Sequence, residues 1–251
     1  MSILQSIFLG LLQGFTEFLP VSSSGHLILA QRLFDVQASL FFDVALHLGT
    51  FFAVVLVYKK SLATYVANPL KNRQLHFVLL ASIPTFLLAF VVKIVVPENV
   101  FVGLLPVGFA LTIALLVVSH YLSKERFDLG NLPVWCALLC GIVQGMAVFP
   151  GLSRSGSTVS TLKLCGLAQQ DATEFSFVLS LPVIAGSALV EGLELINTPL
   201  STPWYCVVIG VFFAFLSGYA SLSFLKRLTS KSWVWFCFYL PIPLLLSILT
   251  A

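Results

Sequence analysis

"QGFTEFLPVSSSGH", residues 13–26, sets a glutamate, a threonine, three consecutive serines and a histidine inside an apolar run. Pro20 and the serines interrupt whatever helix precedes them, because proline lacks the N–H that a helix interior requires. A second stretch behaves the same way: "QGMAVFPGLSRSG", residues 144–156, aligns with 13–25 without gaps, and Gln, Gly, two Ser and the final Gly coincide. The same offset of 131 residues pairs Arg32 with Lys163 and Asp43 with Glu174, which points to an internal repeat.

The surroundings say what medium these stretches occupy. The chain has 251 residues, of which 59% are hydrophobic and 9% charged, and its mean hydropathy is +1.03. A water-soluble domain carries roughly 25% charged residues, so this chain has too little polar surface to face water all round. An all-α polytopic membrane protein is the fold class expected. Spanning helices are predicted at 39–58, 76–96, 101–122, 174–196, 204–225 and 232–250, each near the ~20 residues that cross a bilayer. Regions 1–34 and 132–166 read as helix, break, helix, with arms too short to cross twice. A re-entrant hairpin is the economical reading, because irregular backbone at membrane depth needs protein or a wet cavity around it. The whole is one membrane domain, with repeat 1 over about 1–122 and repeat 2 over about 132–251. The first basic residue is Arg32, so the positive start of a secretory signal is missing and the first segment is expected to be kept.

Basic residues set the predicted orientation. Lys59, Lys60, Lys71 and Arg73 fall in one loop, Lys124 and Arg126 in another, Lys226, Arg227 and Lys231 in a third, while 97–100 and 197–203 carry none. The three basic loops are therefore assigned to the cytoplasm. Three spans separate the hairpins, so the second copy is inverted and the two tips are expected to meet near the midplane, a recurrent way to build a membrane site. The net charge of +3 reports this topology, and no nucleic-acid partner is expected. Cys136, Cys140, Cys165, Cys206 and Cys237 all lie in apolar stretches and read as packing residues.

Several residues carry candidate chemistry. Glu17 lies four residues after Gln13, on the same helix face; an ionisable group at membrane depth costs roughly 2.5–3.5 kcal/mol or more and is a functional candidate. Ser22, Ser23, Ser24 and Gly25 open a short helix whose free N–H groups suit a phosphate, although serine also caps helices for purely structural reasons. His26 follows at once and is a catalytic candidate in that company. Arg154, among Ser153, Ser155, Gly156, Ser157 and Thr158, suits bidentate phosphate binding; its repeat counterpart is Ser23, so repetition does not account for the charge. Lys163 and Arg32 are expected to snorkel at the outer ends of the hairpins.

"QGFTEFLPVSSSGHL" and "FPGLSRSGSTVS" resemble the two signature motifs of the undecaprenyl pyrophosphate phosphatase family, known also for bacitracin resistance. "FFDVALHLGT" (41–50) and "ATEFSFVLSLP" (172–182) resemble its secondary blocks, in the same order. The resemblance covers essentially the whole chain. It implies hydrolysis of undecaprenyl pyrophosphate to undecaprenyl phosphate and inorganic phosphate, which recycles the lipid carrier of peptidoglycan and other envelope polymers. It implies a divalent cation, Mg²⁺ or alternatively Ca²⁺, with Glu17 as a metal ligand or as the base, and a C55 lipid substrate in the bacterial inner membrane. It also implies inverted repeats and a site open to the periplasm. The family's serine run and histidine fall on Ser22, Ser23, Ser24 and His26, and its arginine motif on Ser153, Arg154, Ser155 and Gly156. Its acidic motif is Glu or Gln, three residues, then Glu; Gln13 removes the paired-carboxylate option. Whether a serine, His26 or water attacks stays open, as does assembly into a homodimer.

Two rivals come from other classes. "SSSGH" matches part of the motif of a second lipid-phosphatase superfamily, but that motif needs a His where this chain has Ser160. A transporter or flippase of the lipid carrier shares the expected architecture, and phosphate release by purified protein separates it from an enzyme.

Overall fold

A computed structural model describes residues 1–36, 38–194, 202–227 and 230–250, without the side chains of 98, 99, 191, 194 and 230–232. Among the described residues the regular elements are all helices, apart from one isolated bridge between Phe127 and Leu167. The first half contains α1 (Ile3–Phe18), α2 (Ser23–Leu33), α3 (Leu40–Val57), α4 (Lys59–Ala67), α5 (Arg73–Val95), α6 (Glu98–Gly103) and α7 (Leu105–Leu122). The second contains α8 (Val134–Met146), α9 (Arg154–Leu164), α10 (Gln169–Glu194), α11 (Trp204–Leu225), α12 (Phe236–Tyr239) and α13 (Pro241–Leu249). The 197–201 part of the second loop without Lys or Arg lies outside the described residues.

Among the described residues five helices, α3, α5, α7, α10 and α11, are long and apolar enough to cross a membrane. The sixth predicted span, 232–250, is composite: a 3₁₀ turn, Ser230–Trp235, leads into α12 and α13, and Pro241 and Pro243 stand where a continuous helix would need N–H donors. Its apolar part, Trp233–Leu249, falls short of the other five. The predicted start of the third span also shifts, because Pro97 opens the short α6 and α7 begins at Leu105.

The packing is that of a protein whose exterior is apolar. Leu79, Ile83, Leu87, Phe90 and Ile94 of α5 point outward, whereas α9, polar in sequence (RSGSTVSTLKL), is buried from Ser155 to Lys163. Hydroxyls cannot face hydrocarbon without partners, so the polar helix sits inside and the leucine-rich ones surround it. Lys163 follows suit: it is buried rather than extended outward as expected, because α9 lies within the bundle. Four cysteines are buried, Cys237 is partly so, and all are free thiols.

Two short helix pairs, α1–α2 and α8–α9, carry the breaks. Ser2 caps α1, accepting from the Gln5 N–H at 3.2 Å while its own N–H donates to Gln5 Oε1 at 2.7 Å. The helix ends at Phe18, because Leu19 precedes a proline and is extended (φ −68, ψ 147). α9 is capped by Ser153, whose Oγ accepts from the Gly156 N–H at 3.0 Å. Gly151 in the second break has φ +84, and a Cβ there would lie 2.2 Å from the Leu105 carbonyl oxygen. Only glycine lets this loop lie against α7. Thr112 of α7 then holds the loop, accepting from the Ser153 N–H at 2.8 Å and donating to the Gly151 carbonyl at 3.0 Å.

Candidate active site

The two breaks meet. Arg154, the first residue of α9, donates through Nη2 to Glu17 Oε1 near the end of α1. Ser155 Oγ donates to the Leu19 carbonyl at 3.0 Å, which fastens one break to the other. Beside them lies a cavity of about 230 Å³ lined by Glu17, Ser22, Ser23, Ser24, Ser153 and Arg154, with His47, Thr85, Gln144 and Ser180 on its other walls.

Glu17 is the hub. It is 6% exposed, so its charge is held by partners rather than by water. Besides Arg154, Ser23 Oγ donates to Oε2 at 2.6 Å, Gln13 Nε2 donates to the same oxygen at 2.9 Å, and His47 Nε2 lies 3.5 Å from it. Three side chains thus donate to this one carboxylate, and His47 stands beside it, so the buried acid is enclosed by polar partners. Arg154 has a second feature: its Nη1 is buried without a hydrogen-bond partner. Guanidinium N–H groups are strong donors, and an orphaned one beside a cavity is an acceptor-binding position, which suits an anionic oxygen.

The serine run is held in an unusual conformation. Ser22 has φ 69, in the left-handed region that residues with a Cβ rarely adopt. Its Oγ accepts from the Gly25 N–H at 3.3 Å as the cap of α2, and its carbonyl accepts from His26 Nδ1 at 2.7 Å. His26 Nε2 is 2.7 Å from the Tyr239 hydroxyl. Both ring nitrogens are thus engaged, and His26 is placed behind Ser22, outside the cavity lining. The first-turn N–H groups of Ser23 and Ser24 have no acceptor within α2.

The remaining candidates stand behind the lining. Gln13 touches Glu17 from within the bundle. Gly25 and Gly156 pack closely at the two caps, with Pro20 3.2 Å from where a Cβ of Gly156 would lie. Thr158 Oγ1 bonds the Arg154 carbonyl at 2.8 Å and Ser176 Oγ at 2.5 Å. Ser157 Oγ is buried and unpartnered.

Among the lining residues that sequence reasoning did not single out, two have polar atoms turned to the site. His47 is fixed by its Nδ1, 2.8 Å from the Asp43 carbonyl, which turns Nε2 toward Glu17; the signal was an intramembrane histidine four residues after an aspartate. Gln144 donates to Thr85 Oγ1 at 3.2 Å and leaves its Oε1 buried and unpartnered; the repeat register, which pairs it with Gln13, was its signal.

The chain was compared with known proteins. The profile of the family described as "Bacitracin resistance protein BacA" matches residues 6–244. An undecaprenyl-diphosphatase of Halothermothrix orenii is 38% identical over 236 residues, covering 92% of this chain and 91% of its own. That of Syntrophotalea carbinolica is 39% identical over 248 residues, covering 92% of each chain. That of Methanobrevibacter smithii is 35% identical over 254 residues, with 92% and 91% covered. A match of this extent takes in both helix breaks and every residue of the cavity, and on it the chain belongs to the BacA family.

Proposed function

We propose that this chain hydrolyses undecaprenyl pyrophosphate to undecaprenyl phosphate and inorganic phosphate, recycling the lipid carrier of envelope polymer synthesis and conferring resistance to bacitracin. The observation that carries the reading is the convergence of Arg154 and Glu17 from two distant helix breaks on one cavity floored by serine hydroxyls. The names borne by its relatives agree with it.

The residues divide the work as follows. Arg154 binds a phosphate oxygen through its free Nη1 while Nη2 stays on Glu17. N–H groups at the starts of α2 and α9 add donors. Ser23 Oγ is 2.6 Å from Glu17 Oε2, within reach for proton transfer to that carboxylate. Attack by Ser23 on the terminal phosphorus breaks the bond to the bridging oxygen, undecaprenyl phosphate leaves, and water then releases phosphate from the serine. A water in the same place, with Glu17 as its base, gives a single step. Phosphoryl transfer depends mostly on positioning and charge neutralisation, and the cavity offers both. His47 orients Glu17, and His26 supports the Ser22 turn.

A divalent cation, Mg²⁺ or Ca²⁺, belongs to the same proposal. Among the described residues Glu17 is the single carboxylate lining the cavity, and no group of three or more His, Cys, Asp or Glu is placed to hold a metal ion. Such a donor set fits a cation bound by one carboxylate together with substrate phosphate oxygens, as Mg²⁺ commonly is. When bound it would neutralise the pyrophosphate charge, with Glu17 as the protein ligand.

The architecture proposed is two inverted repeats, each with a re-entrant hairpin, in the bacterial inner membrane with the site open to the periplasm. Support comes from element spacing and packing. α5 and α11 begin 131 residues apart, at Arg73 and Trp204. α1 packs on α11 as α8 packs on α5, and α2 on α13 as α9 on α7. The outer end of α2 meets Thr250, whose carbonyl accepts from Arg32, while the end of α9 meets the loop of Arg126.

Phosphate release from C55 pyrophosphate by the purified protein in detergent tests the function; a transporter of the carrier would release none. Orientation is tested by labelling from outside: a cysteine at Trp204 should react and one at Val66 should not.

A further inference from the structure

A second cavity, of about 240 Å³, shares no lining residue with the first; Tyr58, Gln169, Thr173, Glu174, Lys226 and Trp233 line it. We propose that it binds a zwitterionic phosphate–amine headgroup of the phosphoethanolamine class.

Its position is that of a lipid headgroup. The candidate spans Leu40–Val57, Gln169–Val190 and Trp204–Leu225 all stop here: Tyr58 follows the first, Gln169 opens the second and Lys226 follows the third. A tyrosine and a tryptophan at such a level are typical of membrane interfaces. Phe177 separates the cavity from the candidate active site, with ring centroids 5.2 Å from Phe18 and 6.3 Å from Tyr58.

The lining is complementary to both charges of the headgroup. Lys226 is the cation for the phosphate; its Nζ lies 4.3 Å from the centre of the Tyr58 ring and 3.3 Å from the Val57 carbonyl, so it is held at the mouth. The N-terminal end of α10 adds positive potential on the same wall. Glu174 is the anion for the amine.

The observation that selects an amine is Gln169. Its Nε2 donates to Thr173 Oγ1 at 3.1 Å, and Thr173 Oγ1 in turn donates to the Gln169 carbonyl at 2.7 Å. The side chain is therefore fixed with its Oε1 unused: it is 7% exposed, and Oε1 is buried without a partner. A buried carbonyl without a donor is uncommon. A primary ammonium offers three N–H groups, enough for Oε1 and the Glu174 carboxylate together. A quaternary ammonium offers none, and a glycerol headgroup brings no positive charge.

The inference does not depend on the proposed hydrolysis. The test uses delipidated full-length protein in neutral detergent, titrated with short-chain phosphatidylethanolamine, phosphatidylglycerol and phosphatidylcholine and with soluble phosphoethanolamine. Binding is read by native mass spectrometry. Phosphatidylethanolamine should bind about tenfold or more tightly than the other two lipids, as expected for charge-assisted hydrogen bonds that only it can make. Glu174→Gln should erase that preference, Lys226→Gln should weaken both phosphatidylethanolamine and phosphatidylglycerol, and phosphate release should stay normal in both. Should Glu174→Gln not fold, Gln169→Met, which removes the carbonyl and fills its space, should lose the preference in the same way. Binding of soluble phosphoethanolamine as strong as that of the lipid supports the same headgroup chemistry from a soluble source. Equal binding of all three lipids, or an undiminished preference in Glu174→Gln, overturns the proposal.

Discussion

Arg154 and Glu17 stand 137 residues apart in the chain and in direct contact in the fold. Each begins or nears the end of a short helix that stops inside the bundle, and together they bring a cation and an anion to one cavity wall. Arg154→Lys keeps the charge but loses the planar fork. Its phosphate release should fall about ten- to a hundredfold, the cost of one lost charge-assisted hydrogen bond in the transition state. Steady-state turnover at saturating Mg²⁺ measures it; near-normal activity would mean that Arg154 only neutralises Glu17.

Glu17→Gln should be at least as damaging. It removes the proton acceptor and leaves Arg154 without its counter-charge, so the melting temperature should drop as well as the rate. Gln13→Ala should be milder, since Gln13 touches Glu17 from outside the cavity and only orients it. A dead Gln13→Ala beside an active Glu17→Gln would move the chemistry away from Glu17.

His26 and Ser23 separate support from chemistry. His26→Ala removes the bond that props the Ser22 carbonyl in a left-handed turn costing about 1–3 kcal/mol. We expect reduced turnover with a lower melting temperature, and Tyr239→Phe should move both in the same direction by less. Ser23→Ala should abolish turnover with the melting temperature unchanged if Ser23 is the nucleophile, and rapid quenching of the parent protein should then show phosphate on the chain. His26→Ala at full thermal stability but with no activity would instead make His26 a reacting group.

His47 lines the cavity and has its Nε2 turned toward Glu17. His47→Ala should lower turnover about tenfold, the loss of one neighbouring polar side chain that positions a buried carboxylate. The Michaelis constant should change little if His47 acts through Glu17. A large rise in that constant with turnover preserved would place His47 on the substrate itself.

Gly151→Ala tests how the second break is held. The new Cβ would meet the Leu105 carbonyl at a φ of +84, so α7 and the loop before Arg154 must part. Melting should drop by several degrees, as about 1–3 kcal/mol of strain implies, and phosphate release should fall with it. An unchanged melt would show that the loop does not need this contact.

The sequence alone determined the class of molecule and where its helices break. Composition dictates the solvent, since 9% charge cannot cover a surface in water. Pro20 and Pro150 mark where helices must stop, and the spacing of Gln13 and Glu17 follows from 3.6 residues per turn, which is local geometry. The serines and Arg154 were visible as candidates because polar groups in an apolar run need a reason to be there.

Only tertiary structure decided what those groups face. It set His26 against Ser22 and Tyr239, behind the lining, and His47 at the cavity wall, a reversal that no local rule contains. It brought Ser23, His47 and Arg154 from other helices to Glu17, left Arg154 Nη1 and Gln169 Oε1 without any partner, and buried Lys163 where a snorkelling side chain was expected. The reason is common to all: a helix period says which residues share a face, but the partner of that face comes from helices distant in sequence. Here those contacts run through close backbone approaches, at Gly151 on α7 and Gly10 on α11, that only the assembled bundle defines.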